Sequence, residues 1–216
     1  MSEIAVCRLE VAPLHAEPDA SSEQVTQALR GEPLVVEERR RGWAGVRTAY
    51  DYLGWIAADA LEPVGGSAPQ APFAELSTAW LSRYAARTEP GGSEPPSPIC
   101  EARAYLGAPY LWGGMTERGL DCSGLVHMAY RRVGRLVPRD ADQQAAAAEP
   151  VADGDERPGD LVVYGDPGNE HHVAFWLGGG RILHATGREG VNRVVEEDEP
   201  TELRDGPRRT VRLPRR

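Results

Sequence analysis

The chain of 216 residues contains no lysine; all 24 of its basic side chains are arginine. Schiff-base chemistry, pyridoxal enzymes and the lysine-bearing phosphate loop each need an ε-amine, so all three are excluded. Cysteine is scarce and odd in number. Cys7, Cys100 and Cys122 lack the Cys-x-x-Cys spacing of zinc and redox sites, and three thiols do not make a disulfide framework. Long apolar runs are also missing, so no segment reads as a membrane span, and the opening MSEIAVCRLEVAPLH lacks the basic-then-apolar pattern of an export leader. The expectation is a soluble, cytoplasmic protein. With 33 acidic residues against 24 basic ones the formal net charge is −9, which argues against nucleic acid or an anionic membrane as a partner.

What is present falls into two parts. Over residues 4–64, Val, Leu and Trp alternate with polar residues in segments too short for stable helices, which predicts strands at Ala5–Val11, Leu34–Glu38, Trp43–Thr48 and Gly54–Ala57. A small all-β barrel at 1–64 follows. Residues 65–98 read as a linker with a short helix: Pro63–Pro72 and Glu89–Pro98 are rich in Pro and Gly, and between them Phe73, Leu76, Trp80, Leu81 and Tyr84 recur near helical spacing. Residues 99–216 read as one α+β domain, with helices at Ile99–Leu106 and Cys122–Val133 and strands at Asp160–Tyr164, His172–Leu177, Arg181–Ala185 and Arg209–Leu213. Gly178-Gly179-Gly180 is the hairpin turn between two of those strands. The acidic run Glu196–Glu199 reads as a solvated turn, and Arg39–Arg41 after Glu37-Glu38 as a mixed-charge hairpin tip.

Cys122 follows a Gly-rich loop and opens a predicted helix, where backbone N–H groups and the helix dipole favour a thiolate. His172 begins one strand and His184 lies near the end of the next. A cysteine at a helix N-terminus, a histidine on the sheet and a third polar group to orient that histidine form the papain-type arrangement, and Cys122, His172 and His184 have its chain order. In this reading His172 is the base and His184 holds its other ring nitrogen. His171 is the alternative base, although strand alternation aims it at the opposite face. Zinc held by Cys122, His172 and His184 is the rival, weakened because no Asp or Glu sits at helical ligand spacing to them; no metal or other cofactor is expected. His127 and His15 read as surface residues.

The blocks Pro109-Tyr110-Leu111-Trp112-Gly113-Gly114, Asp121-Cys122-Ser123-Gly124-Leu125, Pro138-Arg139-Asp140 with Gln143-Gln144, Pro158-Gly159-Asp160-Leu161-Val162, His172-Val173-Ala174 and His184-Ala185 together resemble the NlpC/P60 cysteine peptidases. The first part, with Trp43 and Gly54-Trp55-Ile56, resembles a bacterial SH3 domain. The whole chain resembles the SH3-bearing γ-D-glutamyl-L-diamino acid endopeptidases of cell-wall peptides. That resemblance implies a papain-like domain with Cys122 as nucleophile, His172 as base and His184 as third residue. It also implies Tyr110 as an oxyanion ligand, and Asp121, Ser123 and Tyr52 as readers of a free N-terminal L-Ala amine. Tyr50 is the understudy of Tyr52, and a core position in the barrel is the alternative for Tyr52. An ammonium group would satisfy Asp121, and a substrate lacking the amine would leave that carboxylate buried without a cation, at a cost of about 3–5 kcal/mol. The implied activity is hydrolysis of the γ-D-Glu–diamino acid bond in murein peptides, in a cytoplasmic recycling role. The alternatives are an exported hydrolase of intact peptidoglycan, an acyltransferase and a non-catalytic wall-peptide binder.

Overall fold

The computed structural model describes residues 3–64, 73–86 and 97–214. The two predicted Pro- and Gly-rich stretches fall largely outside these residues. The chain divides into two compact units, 1–89 and 90–216. Among the described residues no helix is long and apolar enough to cross a membrane.

The first unit has strands β1 (Glu3–Cys7), β2 (Val11–His15), β3 (Gln24–Leu29), β4 (Pro33–Arg40), β5 (Trp43–Arg47), β6 (Leu53–Ala57) and β7 (Leu61–Pro63), followed by helix α1 (Phe73–Ala86). The strands form one sheet in the order β3-β2-β6-β5-β4-β1-β7. Its core is Ala5, Cys7, Leu14, Leu34, Val36, Val46 and Ile56. The predicted strand Ala5–Val11 is two strands, because the exposed Arg8-Leu9-Glu10 segment turns the chain. β1 thereby pairs with β4 and β7, and β2 with β3 and β6. β3 escapes the sequence reading because its residues, QVTQAL, alternate only weakly. The mixed-charge tip is observed: Arg41 and Gly42 turn at φ 36° and 90°, Arg39 pairs with Glu3 and Arg40 with Glu38. In α1, Trp80 is buried, donates from Nε1 to the Arg30 carbonyl at 3.3 Å and stacks on Tyr84 with centroids 5.3 Å apart. The helix of the interdomain stretch therefore packs within the first unit.

The second unit runs α2 (Pro98–Arg103), β8 (Met115–Thr116), β9 (Gly119–Leu120), α3 (Cys122–Arg132), α4 (Ala141–Ala146), β10 (Glu149–Pro150), β11 (Leu161–Tyr164), β12 (His172–Gly178), β13 (Arg181–Thr186), β14 (Arg193–Asp198), α5 (Thr201–Arg204) and β15 (Arg208–Arg212). Six of the strands form an antiparallel sheet, β10-β15-β11-β12-β13-β14. α3 packs on β12 and β13, where Tyr130 stacks on Phe175 at 6.4 Å. The opposite side of the sheet gathers Val162, Tyr164, Ala174 and Ile182, with Trp176 and Leu203 against them. The Gly178–Gly180 turn is observed, with φ of 89°, 61° and 78°, conformations open to glycine without strain.

The acidic run is not a solvated turn. Glu196, Glu197 and Asp198 end strand β14, and Glu199 is buried, accepting from the Tyr164 hydroxyl at 2.9 Å. Consecutive acids hide the alternation of a strand, and arginines distant in sequence make it tolerable: Arg103 meets Glu196 at 2.6 Å, Arg188 meets Glu197 at 2.6 Å and Arg208 meets Glu199 at 3.5 Å. The basic C-terminal segment likewise enters the sheet as β15, between β10 and β11, with Arg209 on Glu170 and Arg212 on Asp160.

Candidate active site

The start of α3 is fixed by Asp121, whose extended backbone and side chain cap the helix. Its Oδ1 accepts the Gly124 N–H at 2.6 Å, and its Oδ2 accepts the Gly113 N–H from the Trp112-Gly113-Gly114 loop at 2.7 Å. Glycine at 124 is required by close approach, since a Cβ there would lie 2.4 Å from the Gly114 carbonyl oxygen. Cys122 is thus the first residue of a helix whose loop, cap and first turn are tied together. The Gln144 amide strengthens the tie, donating to the Ser123 carbonyl at 2.9 Å and to the Pro138 carbonyl at 2.9 Å.

Arg139 changes the meaning of Asp121. Its guanidinium is buried and straddles the carboxylate, Nη1 to Oδ1 at 3.0 Å and Nη2 to Oδ2 at 2.7 Å, while Nη1 also donates to Ser123 Oγ at 2.9 Å. Asp121 therefore has a resident cation and two amide donors. The expectation that its carboxylate stands uncompensated without a substrate ammonium is corrected, and with it the penalty against substrates lacking a free amine. Arg139 stands in the Pro138-Arg139-Asp140 segment, and nothing in the sequence spacing pairs it with Asp121.

The two histidines meet on the sheet. β12 and β13 are paired, and His172 Nε2 lies 2.8 Å from His184 Nδ1 with the rings edge to face, centroids 5.0 Å apart. His172 also packs beside Tyr164 of β11, at 5.6 Å between rings. Strand alternation puts His172 on the side facing away from α3. It is, however, the first residue of β12, at the strand end, and the backbone of the next residue, Val173, favours the charged form of the Cys122 thiol. His171 is exposed, its amide bonded to the Tyr164 carbonyl at 3.0 Å.

Glu197, which the sequence reading left in a turn, completes the row. His184 pairs with Val195 across β13 and β14, and Glu197, two residues on, shares that face. Its Oε1 lies 2.9 Å from His184 Nε2, and Arg188 holds both carboxylate oxygens at 2.8 and 2.6 Å.

Burial pushes the Cys122 thiol up to about 12, and the Asp121 charge acts in the same direction. The Val173 and Ser123 amides and Arg139 pull the other way without prevailing. Burial likewise pushes His172 down to about 3, helped by His184 and His171. Desolvation thus raises the thiol and lowers the imidazole, working against the pull of the helix N-terminus toward a thiolate. Tyr110 also belongs to this cluster. Burial first, then the charges of Cys122 and Asp121, raise its hydroxyl so that it stays protonated, a donor at every working pH. Its ring lies against Gly187, where a Cβ would sit 3.1 Å from Cδ1 and Cε1.

The structure therefore brings Cys122, His172, His184, Tyr110, Asp121 and Ser123 together in the second unit. Tyr52 is in the first unit, half-buried outside its core cluster, with its ring 6.3 Å from that of Tyr50 and its amide bonded to Thr48 Oγ1 at 3.0 Å. His127 and His15 are corrections. Both are buried, because α3 is enclosed on all sides from Cys122 to Arg131 and because His15 packs edge-on against Trp43 at 5.5 Å. Among the described residues no group of three His, Cys, Asp or Glu side chains is arranged to hold a metal ion.

Residues 107–203 match the NlpC/P60 family, and residues 14–61 match the bacterial dipeptidyl-peptidase SH3 domain. A γ-D-glutamyl-L-lysine dipeptidyl-peptidase of Bacillus subtilis is 42% identical over 84 residues, which is 38% of this chain and 28% of that protein. The peptidoglycan endopeptidase RipB of Mycobacterium tuberculosis is 38% identical over 105 residues, 43% of each chain. The solved structure of RipB from the same organism superposes with a TM-score of 0.50 at 26% identity, over 71% of this chain and 95% of that one. The chain spans less than half the length of these two curated relatives. The chain thus carries an NlpC/P60 domain in its second unit and a bacterial SH3 domain of the dipeptidyl-peptidase type in its first.

Proposed function

We propose that the protein is a cysteine peptidase that hydrolyses the γ-D-Glu–diamino acid bond of murein peptides and releases L-Ala-D-Glu. The observation that carries this reading is the 2.8 Å His172–His184 hydrogen bond at the start of β12, next to Val173, whose backbone favours the charged form of Cys122. As the sulfur attacks the γ-carbonyl carbon, the thiol proton passes to His172 Nδ1, the nitrogen that His184 leaves open. Tyr110, kept protonated, donates to the developing oxyanion. His172 then returns the proton to the leaving amine as the C–N bond breaks, leaving a thioester on Cys122. In the second half His172 takes a proton from water as its oxygen bonds to the thioester carbon; the C–S bond breaks and His172 returns the proton to the departing sulfur, which restores the thiol.

A free N-terminal L-Ala and a cytoplasmic recycling role belong to the same proposal. The match to a dipeptidyl-peptidase SH3 domain supports the first. Since Arg139 already compensates Asp121, selection for the amine rests on hydroxyl groups such as that of Ser123 more than on an unpaired charge. Hydrolysis of L-Ala-γ-D-Glu-diaminopimelate is the test. Release of L-Ala-D-Glu by the wild type, its absence in Cys122→Ala and a large loss when the substrate is N-acetylated are expected. Cleavage of purified sacculi at a rate equal to that of the free peptide would replace recycling with wall hydrolysis, as the name of RipB describes for that protein.

A further inference from the structure

We propose that Glu197 is a positioning residue of the active site, acting through His184 to set the proton position on His172, with Arg188 holding Glu197 in the required state. The inference rests on the reading of His172 as the base.

The argument is one of donors and acceptors. An ionised carboxylate has no proton to give. Burial would raise the Glu197 carboxyl, but the hydrogen bonds from Arg188 and His184 outweigh it and hold it below the usual carboxylate range. At 2.9 Å from that acceptor, His184 Nε2 must carry the proton. A neutral imidazole has one N–H, so His184 Nδ1 is bare and acts as an acceptor. His172 Nε2, at 2.8 Å, is then the donor, and the remaining nitrogen of His172, Nδ1, holds the free lone pair. The one ring nitrogen able to take the thiol proton is thus specified two hydrogen bonds away, on β14.

The alternative proton arrangement has no place in this geometry. A proton on His184 Nδ1 would face a donor or force the proton of His172 onto Nδ1, which removes the base. Arg188 is the lock: its Nη2 reaches both Glu197 oxygens, its Nη1 lies 3.4 Å from Glu202, and its own guanidinium cannot accept. The titratable and charged groups around the pair are Glu197, Arg188 and His172 for His184, and His184, His171 and Tyr164 for His172.

Histidine ¹⁵N NMR of the full chain reads the proton positions without reference to activity. Above pH 7, both His184 and His172 are expected as single Nε2–H forms in the wild type. Glu197→Leu removes the acceptor and is expected to give mixed forms, with kcat on murein tripeptide about a hundredfold lower and KM within about twofold. Glu197→Gln keeps an accepting oxygen and is expected to recover most of that loss, to within about tenfold of the wild type. A wild-type His184 carrying its proton on Nδ1 overturns the proposal. So does a folded Glu197→Leu protein with unchanged kcat and unchanged His184 form. If Glu197→Leu does not fold, the wild-type proton positions and the Glu197→Gln rate decide. If the protein hydrolyses no murein peptide, the NMR arm still tests the relay, so the two readings fail separately.

Discussion

Arg139 and Asp121 form a buried, two-pronged ion pair, 2.7 Å between Nη2 and Oδ2, directly beneath the first turn of the Cys122 helix. Buried pairs are costly to break because one charge is left without its partner. Arg139→Leu is expected to destabilise the second unit by about 3–5 kcal/mol. Arg139→Lys, which loses the two-pronged geometry but keeps the charge, is expected to cost less. Urea unfolding of the full chain, followed by tryptophan fluorescence and far-ultraviolet circular dichroism, checks both. An Arg139→Leu protein as stable as the wild type would show that the pair is not needed to anchor α3.

Tyr110 gives a prediction about rate without stability. Tyr110→Phe removes the donor hydroxyl and keeps the ring against Gly187, so kcat should fall by about a hundredfold, with KM little changed. Gly187→Ala should act more weakly in the same direction, since its Cβ would sit 3.1 Å from the Tyr110 ring and displace it by a few tenths of an ångström. Steady-state kinetics on the murein tripeptide separates the two parameters. A Tyr110→Phe variant with full kcat removes the hydroxyl from the mechanism.

The parts of this site that were legible in sequence are those whose chemistry is local. Cys122 behind a glycine loop, and His172 and His184 on successive strands joined by three glycines, need only period and spacing to be brought together. Glu197 needs the pairing of β13 with β14 in the right register, a non-local fact that four consecutive acidic residues conceal. Arg139 is similar: its partner lies 18 residues back, and a lone arginine in a loop carries no mark of burial. His127 was misplaced because an amphipathic reading assumes one solvent face, whereas α3 is covered all round. In the first unit, the turn at Arg8–Glu10 and the weakly patterned β3 were lost for the same reason: strand identity there comes from neighbours in the sheet.

Stability should depend on pH through the buried histidines. His127, His172 and His184 all have lowered values in the folded state, burial being the first cause in each case. Below the ordinary value of about 6.5 the unfolded chain takes up protons that the folded chain refuses. The unfolded state then binds more protons, so stability rises with pH and is lost on acidification from about 6.5 downward. Each fully buried histidine adds a slope of up to about 1.4 kcal/mol per pH unit in that window. A second loss is expected below about pH 4.5, where Glu197 and then Asp160 begin to protonate in the unfolded chain while their lowered carboxyls stay ionised in the folded one. Urea midpoints between pH 7.5 and 5 check the first window, and His127→Gln should flatten part of the slope. A midpoint independent of pH across that range would contradict the burial of these rings in neutral form.

The central claim is that Cys122 forms a covalent bond to the γ-glutamyl carbon during turnover. Acid quenching during hydrolysis of L-Ala-γ-D-Glu-diaminopimelate, followed by intact-protein and peptide mass spectrometry, reads that bond directly. The expected result is a transient L-Ala-γ-D-Glu adduct on the peptide containing Cys122, absent from Cys122→Ala, which also releases no L-Ala-D-Glu. Continued release of L-Ala-D-Glu by Cys122→Ala, with no adduct on the wild-type cysteine, would contradict the account.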